Sequence, residues 1–176
     1  MDKMLTATEV IRLRRSIRKF KANEPVTEEQ VRLLLEAAMM APSACNCRPW
    51  EFIVIRNREK LGELAAAHPF AKMLHTASLA IIVCALPDAQ KGVAAGYFPE
   101  DCGSASQNIL LQATALGLGS CWCGVYPREE RIKGLRAVLD LADRPDIIPF
   151  NIIAIGVPDE FPEARGFYEP GKVRFI

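Results

Sequence analysis

The sequence predicts an α+β fold, with strands and helices arranged as three layers or as an α+β sandwich. Two observations carry this. Four segments rich in β-forming apolar residues are separated by segments with helical spacing. The chain has 176 residues, 50% of them apolar and 24% charged, enough for one hydrophobic core. Nothing marks a boundary, so 1–176 is expected to be a single domain.

The elements follow in order. Residues 8–14 read as a short helix carrying Val10, Ile11 and Leu13. Thr27 and Gln30 form a capping box at the start of a second helix, in which Val31, Leu34, Leu35 and Ala38 fall at helical spacing. Pro42 stops it, and PSACNCRP is a loop by composition. WEFIVIR alternates and reads as a strand. Residues 59–67 look helical, with a short turn at 72–75. LAIIVCAL, 79–86, is a continuous apolar run and reads as a buried strand. The stretch 87–100 is weakly patterned and expected to be mobile.

Residues 100–116 form a helix with almost no charge on its sides, expected to be buried all round. Gly103, Ser104, Ala105 and Ser106 are small enough for another helix to pack closely. In so short a chain, full burial of this helix points to a second subunit. Gly117 is its C-terminal cap. GSCWCGVY then gives a third strand, 128–139 a further helix, and PFNIIAIGVP a fourth strand. The tail, 159–176, has no clear period.

Lys and Arg number 22 against 21 Asp and Glu, so no global field favours nucleic acid or a membrane surface. The uncharged stretch 102–127 is long enough to span a bilayer, but Gln107, Asn108, Gln112, Gly117 and Gly119 interrupt it. It reads as a buried helix followed by a strand. The N-terminal residues lack the apolar segment of a secretory signal. The expectation is a cytoplasmic protein whose six cysteines are reduced.

Against this neutral background, RLRRSIRKF places five positive charges in nine residues. Arg14, Arg15 and Arg18 with the hydroxyl of Ser16 supply what a phosphate requires. On a helix or helix end, Arg14 and Arg18 would share a face. The competing interpretation is a solvated basic turn. In APSACNCRPW, the loop offers a hydroxyl, an amide and free backbone groups, suited to a heteroaromatic edge or to a plain helix stop. There is no G-x-G-x-x-G and no P-loop.

RRSIRKF, APSACNCRPW, SQNILLQATALGLGSCW and IIAIGVPDE occur in the order and spacing of the FMN-dependent nitroreductase family, which the chain resembles over nearly its whole length. The resemblance implies a three-layer α/β/α sandwich with a mostly antiparallel central sheet, completed by dimerisation. It implies FMN at the subunit interface, with NADH or NADPH as hydride donor and a nitroaromatic, quinone, enone or flavin as acceptor. Carried over, Arg14, Arg15 and Ser16 would hold the phosphate and ribityl chain, and Arg18 would reach the pyrimidine edge of the ring. Pro42, Ser43, Ala44 and Asn46 would come from the other subunit. Cys123 and Gly124 would lie beside the ring, and Lys172 and Arg174 would close on the phosphate. Arg18 is the candidate catalytic residue, because reduced flavin gathers negative charge that a fixed cation stabilises.

The sequence departs from the family pattern at Arg48, where Gln is common, in the short cover offered by 87–99, and in its cysteines. Cys45, Cys47, Cys121 and Cys123 form two Cys-x-Cys pairs. Zinc sites favour Cys-x-x-Cys, so no metal is expected. His68 and His75 read as packing or surface residues, and Trp50 and Trp122 as core or pocket wall. A flavin- or metal-binding sensor or storage protein with little turnover is the rival to an enzyme.

Overall fold

The computed structural model describes residues 5–163 and 165–176. Its centre is a four-stranded sheet of β1 (Trp50–Ile55), β2 (Leu79–Ala85), β3 (Gly119–Gly124) and β4 (Ile148–Gly156). The order is β1-β2-β4-β3, and every neighbouring pair is antiparallel. Helices α2 (Glu28–Met39) and α4 (Phe98–Ala115) cover one face, and α3 (Arg58–Ala67) and α5 (Glu129–Val138) the other. The short α1 (Ala7–Leu13) packs on α4. The expected three-layer α+β arrangement is present.

Local chemistry starts the helices. Thr6 and Glu9 cap α1 reciprocally, as Thr27 and Gln30 cap α2. Asn57 accepts the N–H of Lys60 at 2.9 Å to open α3. Gly117 follows α4 with φ of 71°, a left-handed conformation that glycine adopts without strain. The apolar run of β2 is explained by burial on both sides. Leu79, Ile81, Val83 and Ala85 join the core under α2 and α4, whereas Ala80, Ile82 and Cys84 join the core under α3 and α5. Each such Leu or Ile contributes about 1.5–3 kcal/mol of burial.

Three expectations change. The helix predicted at 100–116 begins at Phe98 and is buried along one side only. Asp101, Cys102, Ala105, Ile109 and Ala113 face the core, while Gln107 and Ala115 are exposed. The stretch 87–99 is organised by two single 3-10 turns, Pro87–Ala89 and Gly92–Ala94, and is anchored by buried Gln90. The basic segment is helical only at Arg12 and Leu13: α1 stops at Leu13, and the chain from Arg14 runs extended.

That extended run lies along the free edge of β3. Ser16 bridges Ser120 in parallel, and the N–H of Ile17 donates to Ser120 O at 2.9 Å. Further on, Phe20 bridges Pro158. Two glycines permit this close approach. A Cβ on Gly119 would stand 2.9 Å from Ile17, and one on Gly156 2.9 Å from Phe20. Ile17 and Phe20 thereby turn into the core, while their polar neighbours are left facing outward.

Candidate active site

Because an extended chain alternates sides, Arg14, Ser16 and Arg18 fall on one side of the edge segment. They line a cleft of about 420 Å³ together with Arg15, Glu160 and Arg165. The face shared by Arg14 and Arg18 therefore arises from strand periodicity, not from a helix. Among the described residues, Arg14, Arg15 and Arg18 take part in no ion pair. The Glu160 carboxylate is occupied by the backbone, accepting the N–H groups of Arg18 at 2.5 Å and Lys19 at 3.1 Å. Arg15 donates from Nε to Glu163 O at 2.9 Å, which orients its guanidinium. The cleft is thus a concave, cationic surface with a hydroxyl, chemically matched to a phosphate monoester.

Arg18 also borders a second hollow of about 400 Å³, whose wall includes Phe70, Met73, Cys121, Trp122 and Cys123. Arg18 is thus a lining residue of both hollows. A phosphate-bearing group with a flat aromatic portion, such as FMN, fits this donor set: cations and a hydroxyl at one end, apolar and aromatic walls at the other.

Next to Cys123 the end of β3 is tied down, although Gly124 itself lines neither hollow. Gly124 ends β3, and its carbonyl accepts from His68 Nε2 at 2.9 Å and from Arg131 Nη1 at 2.7 Å. The Arg131 guanidinium also lies 5.4 Å above the Phe70 ring. Cys121 and Cys123 both point into the core under α3 and α5. A hydrogen bond from Cys123 holds Cys121 below the ordinary thiol range, against desolvation and aided by Arg18. The same contact and burial push Cys123 upward.

The loop with Pro42, Ser43, Ala44 and Asn46 lies elsewhere. Ala44 begins a single 3-10 turn, and Cys45, Asn46 and Arg48 all take positive φ, between 50° and 54°. The loop is fastened at its base: both carboxylate oxygens of Asp101 accept the N–H of Ala44 at 3.1 Å, and Oδ2 also accepts from Gln90 Nε2 at 2.7 Å. Ser43 Oγ accepts the N–H of Arg48 at 2.9 Å. None of these loop residues lines the arginine cleft or the cysteine hollow of the same chain. Lys172 and Arg174 are exposed on the tail, where Lys172 pairs with Glu169 at 2.8 Å. They too stand outside the cleft.

All six cysteines are free thiols. Among the described residues no three His, Cys, Asp or Glu side chains converge as a metal site, and no helix is long and apolar enough to cross a membrane. His68 is fully buried and His75 exposed. Sequence patterns did not single out Asp101, Gln90, Met73, Phe70 or Arg131, whose roles depend on partners far along the chain. Glu160 belongs to the IIAIGVPDE stretch, but nothing local announced that its carboxylate would clasp the arginine segment.

A model described as the nitroreductase family matches residues 11–71 and 65–157. A protein of Methanothermobacter thermautotrophicus, provisionally named NADH dehydrogenase/NAD(P)H nitroreductase, is 45% identical over 165 residues, covering 94% of this chain and 84% of that protein. The crystal structure of a protein under the same provisional name from Parabacteroides distasonis superposes with a TM-score of 0.88 at 37% identity, covering 96% of each chain. A provisionally named nitroreductase of Desulfovibrio desulfuricans, solved in complex with FMN, superposes with a TM-score of 0.78 at 31% identity, covering 97% of this chain and 95% of that one.

Proposed function

The chain belongs to the nitroreductase family, and from that premise we propose that it is a cytoplasmic, homodimeric FMN-dependent oxidoreductase. NADH or NADPH would be the donor, and a small nitroaromatic, quinone, enone or flavin the acceptor. The observation that carries this is the row of arginines facing one cleft with Ser16, with Arg18 also lining an aromatic- and sulfur-lined hollow. When bound, FMN would supply the hydride chemistry, so no acid–base pair of side chains is required.

The residues divide the remaining tasks. Arg14, Arg15 and Ser16 would hold the phosphate end. Arg18 would keep positive charge beside the redox group, already in place before reaction, which is where fixed electrostatics act most strongly. Cys123 and Gly124 would form the wall beside it, with Gly124 steadied by His68 and Arg131. Pro42, Ser43, Ala44 and Asn46 would reach the site from the partner subunit, and Lys172 and Arg174 would close on the phosphate once the dimer forms. Their placement away from the cleft of their own chain supports a shared site.

The test is the purified protein's spectrum. A yellow protein that releases FMN on denaturation and is bleached anaerobically by NADH or NADPH is expected. Release of FAD, or no flavin after reconstitution with FMN, would overturn the cofactor assignment. Bound flavin that neither nicotinamide bleaches would instead favour a binding protein.

A further inference from the structure

We propose that Cys121, Cys123 and Met73 form a binding site for one soft monovalent metal ion, Cu(I) or Ag(I), in the wall of the hollow beside Arg18. The strand sets the first two ligands. Residues two apart on β3 project to the same side, so both thiols enter the core under α3 and α5, while Trp122 between them packs with the opposite core. The third sulfur comes from the 3-10 turn Lys72–His75: Met73 Sδ stands 4.0 Å from Cys123 Sγ. All three residues line the hollow, which gives an ion a route to buried donors.

The donor set selects the metal. Thiolate and thioether are soft ligands that favour Cu(I) and related ions over harder cations. Zinc requires four donors in a tetrahedron, and no three His, Cys, Asp or Glu groups converge among the described residues. Three sulfurs suit an ion content with low coordination. Binding breaks two S–H bonds and forms two metal–thiolate bonds. Both protons pass to solvent, and the oxidation state of the ion is unchanged. The complex carries one net negative charge, which Arg18 and Lys72, both lining the hollow, would stabilise. The other pair, Cys45 and Cys47, sits in the surface loop, where Cys45 is exposed.

The site shares the hollow proposed for the flavin, and its test reads copper alone, so failure to bind copper leaves the flavin reading standing. Purified protein competes anaerobically for Cu(I) against bicinchoninate. Wild type and the Cys45→Ser/Cys47→Ser variant should each withdraw one equivalent. Cys121→Ser/Cys123→Ser should lose at least about a hundredfold in affinity and Met73→Leu about tenfold, since each removes soft ligands. X-ray absorption of the copper-loaded wild type should show three sulfur neighbours. Retention of the equivalent by Cys121→Ser/Cys123→Ser, or its loss from Cys45→Ser/Cys47→Ser, overturns the site, as does failure of wild type to compete. Should the strand variant not fold, the absorption edge decides: fewer than three sulfurs, or any nitrogen or oxygen ligand, refutes it.

Discussion

His68 donates from Nε2 to the carbonyl oxygen of Gly124 at 2.9 Å. The direction is set by the other ring nitrogen, because Nδ1 accepts the N–H of Phe70 at 3.2 Å. One buried imidazole therefore ties the end of β3 to the turn that carries Phe70, a wall residue of the hollow. His68→Leu strands these polar groups and should cost about 1–3 kcal/mol. His68→Gln should recover part of that. Urea unfolding of the three proteins measures both; equal midpoints for His68→Leu and wild type would contradict the role.

Arg18 lines both hollows. Arg18→Ala should leave FMN bound, because Arg14 and Arg15 remain, but slow flavin reduction about a hundredfold, the scale of losing one preorganised electrostatic partner. Arg18→Lys should restore some of the rate. Stopped-flow reduction of FMN-loaded variants by NADH and NADPH tests this. Arrival of Arg18→Ala without FMN would move the residue to the phosphate end.

Asp101 links the loop at Ala44 to Gln90. Asp101→Leu removes the acceptor for both and should weaken FMN binding at least about tenfold, whereas Asp101→Asn, which keeps one carbonyl acceptor, should lose less. Quenching of FMN fluorescence gives the affinities, and thermal melting shows whether each variant is folded.

The proposed dimer is best probed on the open side of α4. Ala105 and Ile109 are fully buried within the chain, so charges there would test folding instead. Gln107 is exposed, and Leu111 is half-buried beside Met40 in a surface groove. Gln107→Arg with Leu111→Arg should give folded monomers lacking FMN. A dimer that keeps its flavin would place the interface elsewhere.

Burial pushes the thiols of Cys84 and Cys102 up to about 12, with Glu51 and Asp101 respectively adding to the rise. Both therefore favour the folded state while protonated. Their contribution is complete below the ordinary thiol value of 9.0 and is lost as pH climbs toward 12. Three pKa units correspond to about 4 kcal/mol per thiol. The urea midpoint should fall across that alkaline window, and Cys84→Ala with Cys102→Ala should flatten the fall.

What the sequence determined by itself was local or strongly periodic. Thr27 and Gln30 announced α2 because a capping box closes within three residues. The unbroken run of β2 announced a strand with two buried faces, and Gly117 announced the end of α4. The arginine cluster was visible as a charge anomaly, and with the neighbouring motifs it pointed to the family. Only the tertiary structure decided that Arg14 and Arg18 share a cleft through extended backbone, because pairing with Ser120, far along the chain, holds them there. Only it brought Met73 to Cys123, fastened Ala44 to Asp101, and left one side of α4 open. Such contacts arise where separate segments meet in the packed sheet and layers. A hydrophobic pattern shows which side of an element is buried, but not which residue lies opposite it.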